Sequence, residues 1–170
     1  MTRDERGRVL RAIATMVAVP ALIGLTGCTS AGAQSADAGY AALETSIAAL
    51  PDVREVKVTG SYNDLPTSRN LNLTISVTDA PAADLPQFVD AVLREAWAFD
   101  AYSPKSVSIS MLDASTPVPS GTIPRPVDLE DAALSLGITK PTMTKNALVV
   151  SDDALESVYG PWPGPTPASR

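Results

Sequence analysis

Apolar and polar positions along this chain repeat with two different periods, and the switches between them mark out its elements. Over residues 39–50, Tyr40, Leu43, Ile47 and Leu50 recur at intervals of three and four, the stripe of an amphipathic helix. Pro51 ends it, because proline cannot continue the helical hydrogen-bond ladder. Residues 53–59 change to period two, with Val56 and Val58 alternating against Glu55 and Lys57. Residues 60–70 are turn-rich and predict a long hairpin loop. Residues 71–78 alternate cleanly, with Leu71, Leu73, Ile75 and Val77 on one face and Asn72, Thr74, Ser76 and Thr78 on the other. That pattern belongs to a strand with one buried face and one wet face.

A helix is expected over residues 85–100. Asp84 is placed as its N-cap, Gln87 would complete a capping box, and Pro86 suits the first turn. Its apolar stripe runs Leu85, Phe88, Val89, Val92, Leu93, Ala96, Trp97, with Asp90, Arg94 and Glu95 opposite; Trp97 lies on the stripe and reads as core. Residues 106–112 alternate again, Val107, Ile109 and Met111 against serines. The order helix, strand, strand, helix, strand predicts an α+β fold. It is a two-layer sandwich of a three- or four-stranded, mainly antiparallel sheet with two helices on one face.

The remainder is less regular. Residues 113–126 hold four of the fifteen prolines and read as an extended connector. Residues 127–160 read as a short helical extension. Asp128, Glu130 and Asp131 begin one helix, where acidic side chains favour the positive end of the dipole, and Gly137 suits its C-cap. Residues 147–150 are a possible short strand, and Ser151, Asp152 and Asp153 cap a last helix. Residues 161–170 are a proline-rich tail, which could lie across the sheet of its own domain or present an extended segment to a partner.

The first residues are organised differently. Arg3, Arg6, Arg8 and Arg11 form a basic segment, and residues 12–25 then carry no charge. This is the n-region and h-region of a signal peptide, too short for the roughly 20 apolar residues of a membrane span. It ends in Leu25-Thr26-Gly27-Cys28, which contains the chain's single cysteine. This segment resembles the lipobox of bacterial lipoproteins. The resemblance implies recognition of Leu25 and Gly27 by the signal peptidase, cleavage after Gly27, and diacylglycerol on the Cys28 thiol. Two acyl chains on one residue make attachment durable, so the membrane is the expected partner, through the lipid on Cys28. The chain would sit on the cell membrane facing the extracytoplasmic side. Residues 28–38, small and polar, read as a flexible lipidated tether. Richness in Ala, Pro and Asp suggests an actinobacterial source.

Composition narrows the function. Removing residues 1–27 leaves 143 residues and a formal charge of −8, which excludes nucleic acid as partner, since phosphate binding needs clustered Lys and Arg. With Cys28 acylated no internal disulfide can form. The chain has no histidine, so Ser-His and Cys-His nucleophile pairs and the commonest metal ligand are absent. The remaining candidates for chemistry are Thr142 with Lys145, the carboxylates Asp128, Glu130 and Asp131, and the carboxylates Asp152, Asp153 and Glu156. None has the spacing of a calcium loop, and no catalytic residue, metal ligand or cofactor site is assigned. Asn72-Leu73-Thr74 is a sequon by chance. Tyr62, Tyr159 and Trp162 lie in or beside loops, where aromatic side chains suit a binding surface.

The order of elements over residues 40–112 is similar to that of the small BON-type domains of bacterial envelope proteins, a likeness of topology alone. By that resemblance the expected role is binding an envelope protein, lipid or glycan. The alternative is a small envelope hydrolase using carboxylates or a Ser/Thr-Lys pair.

Overall fold

A computed structural model describes residues 31–62, 68–78, 84–117, 119 and 121–165. The elements are α1 (Ala31–Ala48), β1 (Val53–Tyr62), β2 (Arg69–Val77), α2 (Leu85–Ala98), β3 (Ser106–Asp113), β4 (Arg125–Pro126), α3 (Glu130–Ser135), β5 (Thr142–Thr144), β6 (Ala147–Ser151) and α4 (Asp152–Tyr159). The class is α+β as expected. Among the described residues the sheet, however, has six strands in place of three or four, and four helices accompany it. Strands run in the order β1-β2-β3-β6-β5, with β4 beside β6 on the same edge of β3.

The sheet is mainly antiparallel, as expected, but mixed: among the described residues four of its five strand pairings are antiparallel and one is parallel. β1 and β2 form the antiparallel hairpin, but β2 and β3 pair in parallel from Asn70↔Ser106 to Val77↔Asp113. The reason is α2: a helix between two neighbouring strands carries the chain back to its starting end, so the second strand enters in the same direction. β6 then pairs antiparallel to β3, and β5 to β6. Residues 127–160 are therefore more than a helical extension: they complete the sheet. Leu129, Ala133, Ile138, Leu148, Val150 and Leu155 are buried in the same core as the first helices and strands.

β6 covers the short strand expected over residues 147–150, whereas β5 leaves little local signal: it is three residues long, and the turn joining it to β6 places Lys145 at φ 49° and Asn146 at φ 70°. Two successive positive φ values make the tight hairpin turn that matches strand twist, and Asn-Gly is its usual signature; Lys-Asn does not announce it. Gly137, by contrast, sits after α3 at φ 80° as expected, a left-handed value that glycine reaches without steric cost. Asp84 does not cap α2: its backbone is not extended and its side chain makes no capping hydrogen bond. Ser151 does cap α4, accepting from the Ala154 N–H. α1 begins at Ala31, inside the segment expected to be a tether, where Ala31, Ala33, Ala36 and Ala38 supply the highest helix propensity.

Register puts the core on one face. Val58, Leu73, Ile109, Leu148 and Met143 form one row across five strands, and Gly60, Leu71, Val107 and Val150 form the next. α1, α2 and α4 bury Leu43, Ile47, Val89, Leu93, Trp97 and Leu155 against this face, and α3 packs on α2. β1 is an edge strand. Its Val58 N–H, pointing away from β2, donates to Glu44 Oε1 of α1 at 2.7 Å, so the helix satisfies part of the open edge.

Candidate functional surfaces

Leu25, Gly27 and Cys28 lie outside the described residues, as does the segment 28–30 of the expected tether.

Thr142 and Lys145, three residues apart in sequence, do not share a face. Thr142 pairs with Val149, so it stands on the sheet face away from the helices, whereas Lys145 occupies the β5–β6 turn. Lys145 instead lines an open concavity of about 260 Å³ with Asp128, Glu130, Met143 and Asn146, smaller than the roughly 300–1,000 Å³ of a typical ligand pocket. Asp128 Oδ1 there accepts from the Glu130 N–H at 3.0 Å, and Asp152 Oδ1 accepts from the Asp153 N–H. The other Asp152 oxygen takes the Lys105 ammonium at 2.8 Å, which raises the Lys105 pKa through that hydrogen bond. Both acidic clusters lie at helix starts, and among the described residues no group of three His, Cys, Asp or Glu side chains converges to hold a metal.

Among the described residues, no helix covers the opposite face of the sheet. One row runs Thr59, Asn72, Ser108, Val149 and Thr142; the next runs Lys57, Thr74 and Ser110; a third runs Ser61, Asn70, Ser106 and Ser151. None of these side chains is buried. The Asn72 amide donates to Ser61 Oγ at 3.0 Å, tying two rows together. The helices among the described residues pack on the other side, so this face offers hydroxyls and amides at the spacing of the sheet, with Glu55 and Lys57 as charges at its β1 border.

A second feature stands at one end of the sheet, where β1 ends and β2 begins. Tyr40 stacks on Phe99 at 5.7 Å, and Tyr102 meets both rings edge-on. Tyr40 Oη donates to Tyr102 Oη, which donates to the Asn70 carbonyl. Arg69 lies over Tyr102 at 4.2 Å and over Tyr62 at 4.9 Å. Burial, reinforced by the Tyr40 hydrogen bond, pushes the Tyr102 pKa above the usual range for tyrosine. Tyr62 itself is 60% exposed.

The tail takes neither expected course as far as residue 165. It docks on the C-terminal end of α2: Trp162 Nε1–H donates to the Phe99 carbonyl at 2.9 Å, the Gly164 N–H donates to the Trp97 carbonyl, and Trp97 Nε1–H donates to the Gly160 carbonyl. Trp97 is core, at 2% exposure. Tyr159, expected near a loop, is buried; its hydroxyl donates to Asp90 Oδ1, and Arg94 holds the other oxygen at 2.8 Å.

Sequence reasoning missed Arg69 and Tyr102 because they are brought together only by the parallel return of the chain through α2. A comparison with known protein families, curated proteins and solved structures finds no match to this chain.

Proposed function

We propose that this chain is a lipid-anchored, extracytoplasmic binding or envelope-assembly protein that acts by association rather than catalysis. The supporting observation is the uncovered sheet face, whose rows of Ser, Thr and Asn side chains stand opposite the helical layer. A sheet with one wet face is ordinary in a two-layer fold; what supports binding is that this face is a flat array of hydroxyls and amides, which suits a polar, uncharged, hydroxyl-rich partner such as an envelope glycan. The acidity of the chain beyond residue 27 weighs against polyanions as that partner. The anchor comes from Leu25-Thr26-Gly27-Cys28 and its resemblance to lipoproteins.

Two measurements test the two halves of this reading. Expressed in a host with the lipoprotein pathway, the wild type should partition with membrane at a mass lacking residues 1–27 and gaining acyl chains, while Cys28→Ala should do neither. Identical processing of the two would remove the anchor. Wild-type protein should also cosediment with isolated envelope glycan, and Ser108→Arg or Thr74→Arg in the middle of the open face should abolish this without lowering the melting temperature. Unchanged cosedimentation by both variants would rule the face out.

A further inference from the structure

We propose that the end of the molecule bearing Tyr62, Arg69 and Tyr102 is its membrane-facing end, where the Arg69 guanidinium contacts the phosphates of lipid headgroups. This rests on the lipoprotein reading of Cys28 and adds an orientation to it.

The position follows from where the elements begin and end. β1 finishes at Tyr62, β2 starts at Arg69, and α2 stops at Ala98, so that Phe99 and Tyr102 come to the same end of the sheet. α1 meets this end through Tyr40, stacked on Phe99. From Tyr40 back to its start at Ala31, α1 continues for about 13 Å, at about 1.5 Å per residue. Cys28 precedes Ala31 by three residues, which limits it to about 11 Å from that point, at up to 3.6 Å per residue. An acylated Cys28 therefore leaves from the end that carries Arg69. The far end of the sheet, at Val53, lies about 30 Å away along β1, at about 3.3 Å per residue.

The chemistry at this end suits a headgroup. Two tyrosine rings hold the guanidinium in place and leave its N–H edges as donors, the geometry that recognises phosphate oxygens. Among the described residues no carboxylate pairs with Arg69, whereas Lys105 at the same end is committed to Asp152. Exposed Tyr62 adds a ring of the kind that settles at the boundary between headgroups and water. Asp100 and Asp153 keep this end from being basic overall, so the contact orients a molecule that its acyl chains already hold.

The test uses the acylated protein in phosphatidylcholine vesicles whose acyl chains carry bromine near the headgroup. Its mass is checked first: an unacylated chain removes the anchor and both readings with it. In acylated protein, Tyr62→Trp should gain emission that the bromolipid quenches beyond the wild-type level. Adding Arg69→Gln should abolish that extra quenching while partitioning to the vesicles persists. Adding Arg69→Lys, which keeps the charge but loses the flat stack, should leave part of it. Melting temperatures identify any variant whose loss comes from unfolding, and depth measured at Val53→Trp reports the far end independently. Quenching of Val53→Trp equal to or above that of Tyr62→Trp overturns the orientation, and quenching unaltered by Arg69→Gln overturns the phosphate contact.

Discussion

At the scale of single residues, the tightest demand falls on Gly60. It occupies a core-side position of β1 opposite Leu71, where every other strand in its row places a branched side chain. A Cβ at Gly60 would collide with the Tyr40 hydroxyl and lie 2.9 Å from the Tyr102 hydroxyl. The missing side chain is the space into which the two phenols fit, and their hydrogen bond runs on to the Asn70 carbonyl. Gly60→Ala should therefore lose about 1–3 kcal/mol, the range for overfilling a packed site, read as a lower urea midpoint. Tyr40→Phe in the Gly60→Ala background should recover part of the loss, because it removes the atom that the methyl group meets.

At the scale of elements, α2 is held more firmly at its end than its own sequence implies. Its N-terminus has no side-chain cap, and its last turn has no basic residue to complement the dipole. The chain after α4 supplies what is missing. Trp162 and Gly164 donate to the carbonyls of Phe99 and Trp97, and Trp97 returns a hydrogen bond to Gly160. Carbonyls at a helix end need such partners, and here they come from about 60 residues farther along the chain. Truncation after Gly160 should cost about 2 kcal/mol, from two lost hydrogen bonds at about 1 kcal/mol each. Loss of the half-buried Trp162 ring adds to that. Urea unfolding of the truncated and full chains measures it; equal midpoints would mean that the tail contributes nothing to the helix.

At the scale of the whole molecule, tyrosine burial makes stability fall in alkali. Burial raises the pKa of Tyr102 and Tyr159, and hydrogen bonding to Tyr40 and the charge of Asp90 add to the effect. A folded-state pKa above the unfolded value of about 10 means that the native state keeps protons which the unfolded chain releases. The corresponding stability is complete below about pH 10 and is lost as pH rises toward the folded-state values. The melting temperature should drop as pH rises above about 10, and the drop should be smaller in Tyr102→Phe with Tyr159→Phe. An equal drop in that double variant would assign the alkaline loss to other groups.

What the amino-acid sequence determined by itself is local. Period-two alternation placed β2 and β3, the apolar stripe placed α2 with Trp97 in the core, and Ser151 marked the start of α4. These readings hold because alternation and capping depend on neighbours within a few residues. The lipobox we propose at Leu25-Thr26-Gly27-Cys28 is local as well, a reading from four residues that makes no use of the fold. Only the tertiary structure decided that β2 and β3 run parallel, that residues 127–160 close the sheet, and that the tail docks on α2. It alone also brought Arg69, Tyr62 and Tyr102 to the end from which α1 departs. Each of these depends on pairing between segments far apart in the chain, where the gain comes from burying a shared face and leaves no periodic trace in either segment. β6 forms because β3 offers it an open edge and a core to cover, and β5 then pairs with β6; no window of their own sequence contains that edge.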